Sequence, residues 1–263
     1  MDLANVTRGD AAVIVNVPHC GTFLPEALRV RLSAAAGAVP DTDWHVEKLY
    51  AFAPALGATL VTATHSRYVV DLNRDPGGAA LYPGADNTEV CPTRTFANED
   101  VYAAGEEPGD AEIAGRLQRY FYPYHARLAA EVERVRARHG YVVLLDGHSI
   151  LSEVPRFFAG RLPDLNLGTA DGRSAAAGAI ACAREVLAGA SGFSHVVDGR
   201  FKGGWITRHY GEPARGAHAL QLEMAMAAYM DERPPYPWDP ARAAPLAAVL
   251  RRLVEALLAW RPA

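Results

Sequence analysis

The chain has 263 residues, of which half are hydrophobic and 21% are charged. This composition excludes intrinsic disorder, collagen and coiled coil as fold classes. Lysine and arginine total 26 against 30 acidic residues, and the resulting net charge of −4 excludes a bulk attraction for nucleic acid. A chain of this length can bury one large core, so we expect one domain over residues 1–263.

Short apolar runs alternate with longer helical stretches along the chain, which is the order that an α/β fold produces. The apolar runs are rich in β-branched residues and predict buried strands at residues 11–17, 58–62, 68–72, 141–145 and 219–222. Helices are predicted for residues 26–36, 43–52, 111–139, 173–187 and 240–260, with a kink or break at Pro123. Residues 77–109 show no period, which is typical of a functional or mobile loop.

Nothing in the sequence indicates a membrane or an oxidising compartment. Cys20, Cys91 and Cys182 are an odd number without framework spacing, so disulfide bonds are not expected. No run approaches the roughly 18 apolar residues of a transmembrane helix, and the first residues lack the pattern of a signal peptide. We therefore expect a cytoplasmic protein that binds neither membranes nor nucleic acid.

Two histidines directly follow predicted strands, at the sheet edge where α/β proteins bind ligands. His19 comes after the first apolar run, close to Gly21, and His148 comes after the fourth run, beside Gly147. One histidine in such a place is more often structural. Two of them at two strand ends make a shared metal ion an equally good interpretation.

A zinc ion bound by histidines usually has a third protein ligand, often a carboxylate, and keeps one position for water. The candidates are Asp43 and Glu26. Asp43 stands at the start of a predicted helix, where it could simply cap that helix. Glu26 stands in the first turn of another helix, where its charge suits the helix dipole. The residues alone leave this choice open.

A cluster of polar side chains ends the apolar run at residues 68–72. Asn73 and Arg74 could bind a carboxylate together, one through its amide and the other through its guanidinium fork. Taken alone, however, the segment more often forms a surface ion pair between Arg74 and Asp71 or Asp75.

The last predicted strand and the segment before it also carry charged groups. A glycine-rich stretch, residues 203–211, contains Arg208 and His209, and the strand ends in Glu223. A buried strand seldom holds an unpaired acid. Glu223 is therefore either the structural partner of an arginine or, beside a metal ion, a general base.

Several common catalytic motifs are absent from the sequence. There is no GxGxxG after a strand, no GxxxxGK[ST] and no HExxH, so nucleotide cofactors and helical zinc proteases lose support. Residues 147–151 partly resemble a nucleophile elbow, but the final glycine is missing. Ser149 is therefore a weak candidate for a nucleophile.

Taken together, these segments resemble the N-formylglutamate amidohydrolase family. The match is close at residues 201–213 and 218–224, and four further blocks are similar, at residues 18–21, 42–50, 70–74 and 146–149. That family is similar in design to zinc carboxypeptidases and aspartoacylases. The resemblance therefore implies a three-layer α/β/α fold with a mixed central sheet, zinc-carboxypeptidase-like and of the phosphorylase/hydrolase-like type.

The resemblance implies one catalytic zinc ion, or another divalent metal ion, held by His19, Asp43 and His148. An acid corresponding to Asp43 recurs in the family, which favours it over Glu26. In the carboxypeptidase-like relatives a glutamate ligand stands three residues after the first histidine, whereas this chain has Thr22 there.

The resemblance also implies roles for the remaining polar residues. Glu223 is the expected general base, and Arg67 resembles the arginine that faces the developing oxyanion. Asn73 and Arg74 resemble the clamp for an α-carboxylate. The expected reaction is metal-dependent hydrolysis of N-formyl-L-glutamate, the last step of one route of histidine breakdown. The second carboxylate of that small-molecule substrate is assigned to Arg208, with Thr207 and His209 as helpers.

Three other functions stay open at this point. The same metal chemistry would suit the hydrolysis of another N-acyl amino acid or of a γ-glutamyl amide. A binding protein for dicarboxylic amino acids could use the arginines without turnover, although it would gain nothing from a buried Glu223 facing its ligand. A serine hydrolase would depend on Ser149. The loop at residues 77–109 could close over any of these sites.

Overall fold

A mixed β-sheet forms the centre of the computed structural model, which describes residues 2–262. Seven strands within these residues pair in the order β1-β3-β2-β4-β7-β5-β6. Strands β2, β3, β4 and β7 run parallel, whereas β1 and β5 are antiparallel to their neighbours β3 and β7. The bounds are β1 Ala4–Thr7, β2 Val13–Val17, β3 Thr59–Ala63, β4 Val142–Ile150, β5 Leu165–Gly168, β6 His195–Val197 and β7 Ala217–Ala225.

Seven α-helices within residues 2–262 accompany this sheet. They are α1 Glu26–Arg29, α2 Val46–Leu49, α3 Asp110–Arg116, α4 Tyr122–His139, α5 Ala177–Ala188, α6 Trp205–Tyr210 and α7 Pro240–Ala259. A π-helical turn, Leu117–Phe121, joins α3 to α4. Among these described helices, none combines the length and hydropathy that a membrane span requires.

The helices cover both faces of the sheet. Tyr124 of α4 donates to Asn16 of β2, so α4 lies on the face to which Asn16 points. Helix α6 lies on the same face, because the ring of Trp205 contacts His125 of α4. Helices α2, α5 and α7 contact one another or the sheet on the opposite face, where Tyr50 packs against Gly147 of β4. The predicted three-layer α/β/α fold with a mixed sheet is confirmed.

The three central strands are buried along their whole length, which explains why they were visible in the sequence as apolar runs. On the α4 face, however, they carry a row of buried polar side chains. In β4 and β7 these stand opposite one another in register, Asp146 beside Gln221 and His148 beside Glu223. The sheet therefore has one apolar face and one face that carries the buried polar side chains.

The strand predicted at residues 68–72 is wrong. This segment is buried, but its own backbone forms a turn and a loop and does not join the sheet. Its backbone bonds locally, with Val69 N donating to Ser66 O, and to another loop, with Asp71 N donating to Val90 O. Apolar, β-branched composition indicates burial, and here burial comes from loop packing.

Two of the predicted helices are much shorter than expected. The stretch predicted at residues 26–36 is helical only over Glu26–Arg29, because Ser33 turns to bond the backbone of Asp100 and Val101. The stretch predicted at residues 43–52 is helical only over Val46–Leu49, and the backbone N of Asp43 donates instead to His19 O. That bond fixes Asp43 beside the end of β2.

The other predicted helices are present, with shifted bounds. The long one at residues 111–139 is interrupted just before Pro123, as expected, since proline has no N–H to donate. Strands β1, β5 and β6 were not predicted. They are three or four residues long and lie towards the sheet edges, where little apolar patterning is required.

Candidate active site

Three buried side chains converge at the carboxyl ends of β2 and β4. His19 follows β2, Asp43 lies in the loop before α2, and His148 stands within β4. Each offers one ligand atom, and these atoms lie within 4.8 Å of one another. The fold thus brings together the three residues that the sequence singled out as metal ligands.

A carboxylate fixes each histidine from behind. His19 Nε2 is 2.8 Å from Asp71 Oδ1, and His148 Nε2 is 2.8 Å from Asp146 Oδ2. Both rings therefore turn Nδ1 towards Asp43. A second carboxylate on the far nitrogen is the arrangement that orients histidine ligands in metal sites.

Asp43 lies between the two histidines and a buried arginine. Its Oδ2 is 3.0 Å from His148 Nδ1 and accepts from the backbone N of Ser149, while Oδ1 accepts from Arg67 Nη2 at 2.5 Å. His19 Nδ1 is 3.8 Å from Asp43 Oδ2 and has no hydrogen-bond partner among the described residues.

These residues fit a divalent metal ion. A buried imidazole nitrogen without a partner faces a carboxylate and a second imidazole, and this mixed donor set suits zinc and related ions. Glu26, the alternative carboxylate, is exposed on α1 and paired with Arg29. It takes no part in the cluster.

Further polar contacts extend behind His148. Asn16 Nδ2 donates to Asp146 Oδ1 at 2.7 Å, and the Tyr124 hydroxyl donates to Asn16 Oδ1 at 2.7 Å. The position of His148 therefore depends on residues from β2 and α4 as well as on its own strand.

The buried charges shift one another's pKa values strongly. Burial opposes the charge on His148, but Asp146 and Asp43 raise its pKa well above the usual value. Burial likewise opposes the charge on Asp43, yet Arg67 and the histidines lower its pKa. Burial, reinforced by the Arg67 charge, lowers the pKa of His19. The cluster thus favours an ionised Asp43.

A cavity opens directly beside this cluster. His19, His148 and Glu223 line its inner end together with Arg67 and Asn73. Its remaining polar wall includes Arg74, Asp86, Asn87, Thr88, Arg200 and Gln221, and its apolar wall includes Ile150, Leu81, Tyr82, Phe96, Phe157 and Phe201. The lining includes three arginines and four Phe or Tyr rings, which suits a small anionic molecule.

Glu223 faces the cluster from the neighbouring strand. It stands opposite His148 in the β4–β7 register and is 8% exposed. Burial raises the pKa of Glu223 to about 7. A carboxyl group with such a pKa can both accept and release a proton near neutrality.

Asn73 and Arg74 lie at the edge of the same cavity. Asn73 Oδ1 accepts from Ile206 N, and its Nδ2 lies 3.0 Å from His148 Nε2. Gly204 leaves space for this amide, since a Cβ there would lie 2.3 Å from Nδ2. Arg74 donates through Nε to Thr88 and is not ion-paired with Asp71 or Asp75 among the described contacts, contrary to the surface-pair alternative.

Other predicted site residues lie elsewhere. Arg208 and His209 are exposed on α6 and face a separate depression with Asp75 and Trp205. Thr207 is buried in α6 outside the cavity lining. These three were expected at the second carboxylate, and none of them lines the cavity beside the cluster.

Ser149 lines the cavity, but its surroundings differ from those of an activated serine. The Tyr229 hydroxyl donates to Ser149 Oγ at 2.8 Å, and no histidine bonds that oxygen among the described residues. Serine nucleophiles need a hydrogen-bonded base. The geometry therefore disfavours the serine-hydrolase alternative.

Sequence reasoning missed three residues of the site. Asp146 could have been found, because it precedes His148 by two positions and so shares its face of a strand. Asp71 was considered only as a surface partner of Arg74. Arg200 lies in an irregular segment without a period, and no local signal distinguishes it from Arg208.

The geometry defines an α/β protein with a candidate metal site beside a cavity for an anionic small molecule. Comparison with known proteins agrees with this class. The model of the family described as N-formylglutamate amidohydrolase matches residues 11–230. The chain belongs to this family, so the resemblance seen in the sequence is confirmed.

Individual relatives align over nearly the whole chain. It is 44% identical to N-formylglutamate deformylase of Pseudomonas putida, covering 96% of this chain and 94% of that one. It is also 44% identical to the N-formylglutamate deformylase of Pseudomonas aeruginosa, with 98% and 97% covered. A crystal structure of N-formylglutamate amidohydrolase from Ralstonia eutropha JMP134 superposes with a TM-score of 0.79 at 26% identity, covering 98% of this chain and 96% of that one.

Proposed function

We propose that the chain hydrolyses N-formyl-L-glutamate to formate and L-glutamate. Two relatives that are 44% identical to it are named N-formylglutamate deformylase. In a cell this reaction would be the last step of one route of histidine breakdown. The observation that carries the proposal is the placement of Glu223 opposite His148, at the end of an arginine-lined cavity. That placement sets a proton acceptor beside a site for an anionic amide.

His19, Asp43 and His148 would hold one zinc ion, since two imidazoles and a carboxylate form a donor set that zinc prefers. When bound there, zinc would supply Lewis-acid polarisation of the formyl carbonyl and would lower the pKa of water. Asp71 and Asp146 keep the histidine rings in the ligating orientation by accepting from their Nε2 atoms.

Glu223 moves the proton. Its carboxylate takes one proton from the attacking water, whose oxygen bonds to the formyl carbon, and then delivers that proton to the amide nitrogen as the C–N bond breaks. A pKa near 7 lets the same group perform both transfers. Formate and glutamate, now with a free amine, are the products.

Arg67 would stabilise the negative charge that develops on the formyl oxygen. Its guanidinium lines the cavity beside the cluster and is held by Asp43, by Asp71 and by the face of the Phe96 ring, 4.9 Å away. Because these contacts immobilise the side chain before substrate arrives, little reorganisation accompanies the reaction.

Asn73 and Arg74 would bind the α-carboxylate of the substrate. Hydrogen bonds to Ile206 N and to Thr88 fix the two side chains, and both line the cavity next to the cluster. An amide beside a guanidinium offers several N–H donors to one carboxylate. Binding of the α-carboxylate would position the α-carbon of the substrate, and therefore the adjacent formyl amide, near Glu223.

The decisive experiment measures formate release from N-formyl-L-glutamate by protein of counted metal content. Chelation should abolish the activity, and zinc should restore it. Manganese and cobalt are added in parallel to test the choice of zinc. Protein that holds one metal ion yet releases no formate would overturn the substrate, and other N-acyl amino acids and γ-glutamyl amides would then be assayed. Activity that survives complete metal removal would overturn the metal site.

A further inference from the structure

Arg200 lines the cavity but has no role in the reaction described above. We propose that its guanidinium binds the side-chain carboxylate of the substrate and makes the site selective for acidic N-formyl amino acids. This inference rests on the proposed function and deepens it by naming the residue that sets the substrate class.

The charges around the cavity differ in how far the protein itself compensates them. Arg67 is paired with Asp43 and Asp71, and Asp86 is paired with Arg156. Within residues 2–262, neither Arg74 nor Arg200 forms an ion pair. The cavity therefore presents two guanidinium groups that no carboxylate of residues 2–262 contacts, and N-formylglutamate carries two carboxylates. With Arg74 assigned to the α-carboxylate, Arg200 remains for the other.

The protein holds Arg200 through one hydrogen bond and two aromatic rings. Nε donates to Phe157 O at 2.8 Å, and the group lies 4.8 Å from the centre of the Tyr82 ring and 5.3 Å from that of Phe201. No hydrogen bond occupies its terminal Nη atoms among the described residues. Their fork is thus left for a ligand, and carboxylates bind such a fork with two parallel bonds.

The surrounding wall suits the rest of a glutamate side chain. Phe157, Phe201 and Leu81 line the cavity close to Arg200 and offer apolar surface. Methylene groups between the α-carbon and the terminal carboxylate can pack there while the charge meets the guanidinium. A neutral side chain of the same shape would leave the half-buried Arg200 without a carboxylate partner.

Arg208 is a natural control for this assignment. It lies 5.5 Å from the centre of the same Tyr82 ring and donates to the backbone oxygens of Gly203 and Leu81. Unlike Arg200, it is exposed and outside the cavity lining. The two arginines share residue type, chain segment and aromatic neighbour, and they differ in access to the cavity.

The test compares two substrates of nearly equal shape, N-formyl-L-glutamate and N-formyl-L-glutamine, in the metal-loaded enzyme. Wild type, Arg200→Met, Arg200→Lys and Arg208→Met are assayed for formate release. We expect Arg200→Met to lower kcat/KM for the glutamate substrate by about 10²-fold and to leave the glutamine substrate within about threefold. Arg200→Lys should retain part of the preference, and Arg208→Met should retain all of it.

The outcomes separate this inference from the proposed function. Equal losses on both substrates in Arg200→Met and Arg200→Lys would overturn the role of Arg200 while leaving the reaction intact. Loss of the preference in Arg208→Met alone would do the same. A wild-type enzyme that releases formate from neither substrate would overturn the proposed function itself. Should Arg200→Met fail to fold, the partial preference of Arg200→Lys decides.

Discussion

The metal cluster and the arginine end of the cavity are built in opposite ways. In the cluster almost every polar atom already has a protein partner, from the carboxylates behind His19 and His148 to the guanidinium on Asp43. At the other end Arg74 and Arg200 donate to Thr88 and to Phe157 O, and neither forms an ion pair with a carboxylate of the described chain. The first region is arranged to keep its geometry, and the second is arranged to receive an anion.

The secondary structure of the two regions follows the same division. His148 and Glu223 stand on central strands whose register fixes their separation. Arg74 and Arg200 come from irregular segments, and the cavity wall beside them includes several residues of the loop at 81–88. His148 and Glu223 thus lie on rigid strands, whereas the two arginines proposed to bind the substrate lie in loops.

Glu223→Gln should have the largest effect, because it removes the proton carrier and preserves the shape of the sheet face. We expect kcat to fall by about 10²- to 10⁴-fold with metal content unchanged. Wild-type kcat/KM should fall as the pH drops through about 7, the value to which burial raises the pKa of Glu223, or somewhat below it, because a bound cation would oppose that rise. That acid limb should vanish in the variant. Wild-type turnover in Glu223→Gln would remove this residue from the mechanism.

Arg74→Met tests the receiving end. It deletes a charge that forms no ion pair within the described chain and keeps most of the side-chain bulk, so kcat/KM should fall by roughly 10²-fold, mainly through KM. Steady-state kinetics of formate release measure this change, and Arg208→Met serves as the matched control outside the cavity. An unchanged kcat/KM would contradict the α-carboxylate assignment.

Asp146→Asn tests the metal cluster. An amide oxygen accepts from His148 without the negative charge of the carboxylate, and second carboxylates of this kind typically contribute about 10- to 100-fold to metal affinity. The zinc dissociation constant, measured by competition with a chromogenic chelator, should rise by that factor. Asp171→Asn, an exposed aspartate paired with Lys202, is the control. Equal affinities in the two variants would mean that the cluster does not rely on its supporting carboxylates.

Glu26→Gln should have the smallest effect. Its carboxylate is exposed and pairs only with Arg29 in the next turn of α1. Surface pairs contribute little, so metal content and kcat/KM should stay within about twofold of wild type. Loss of metal from this variant would reopen the choice between Glu26 and Asp43.

The sequence revealed the parts of the fold and site that rest on buried central strands. His19, His148 and Glu223 were found because each ends or follows a continuous apolar run, and the sheet then brings such positions together. The false strand at 68–72 shows the limit of this reasoning. An apolar run predicts that a segment is buried. Its backbone hydrogen-bond partners, here Ser66 and Val90, decide whether it is a strand.

The arginines show a second limit. Whether Arg200 or Arg208 faces the cavity depends on where α6 begins and how the preceding turn is oriented, and neither is encoded by a period in the sequence. Asp43 was placed by family resemblance. Its physical position depends on a backbone bond to His19 between segments far apart in the chain, which no local pattern contains.

Gly147 lies beside a proposed metal ligand in β4, but its side of the strand faces away from the metal cluster. It lies between Asp146 and His148, and its own face meets the buried ring of Tyr50, 2.6 Å from where a Cβ would stand. Any side chain there must displace either that ring or the strand, and the strand carries His148. Substitutions at Gly147 would therefore be tolerated as poorly as those of a ligand. Such intolerance would reflect the lack of space between β4 and Tyr50, on the face of the sheet opposite the cavity.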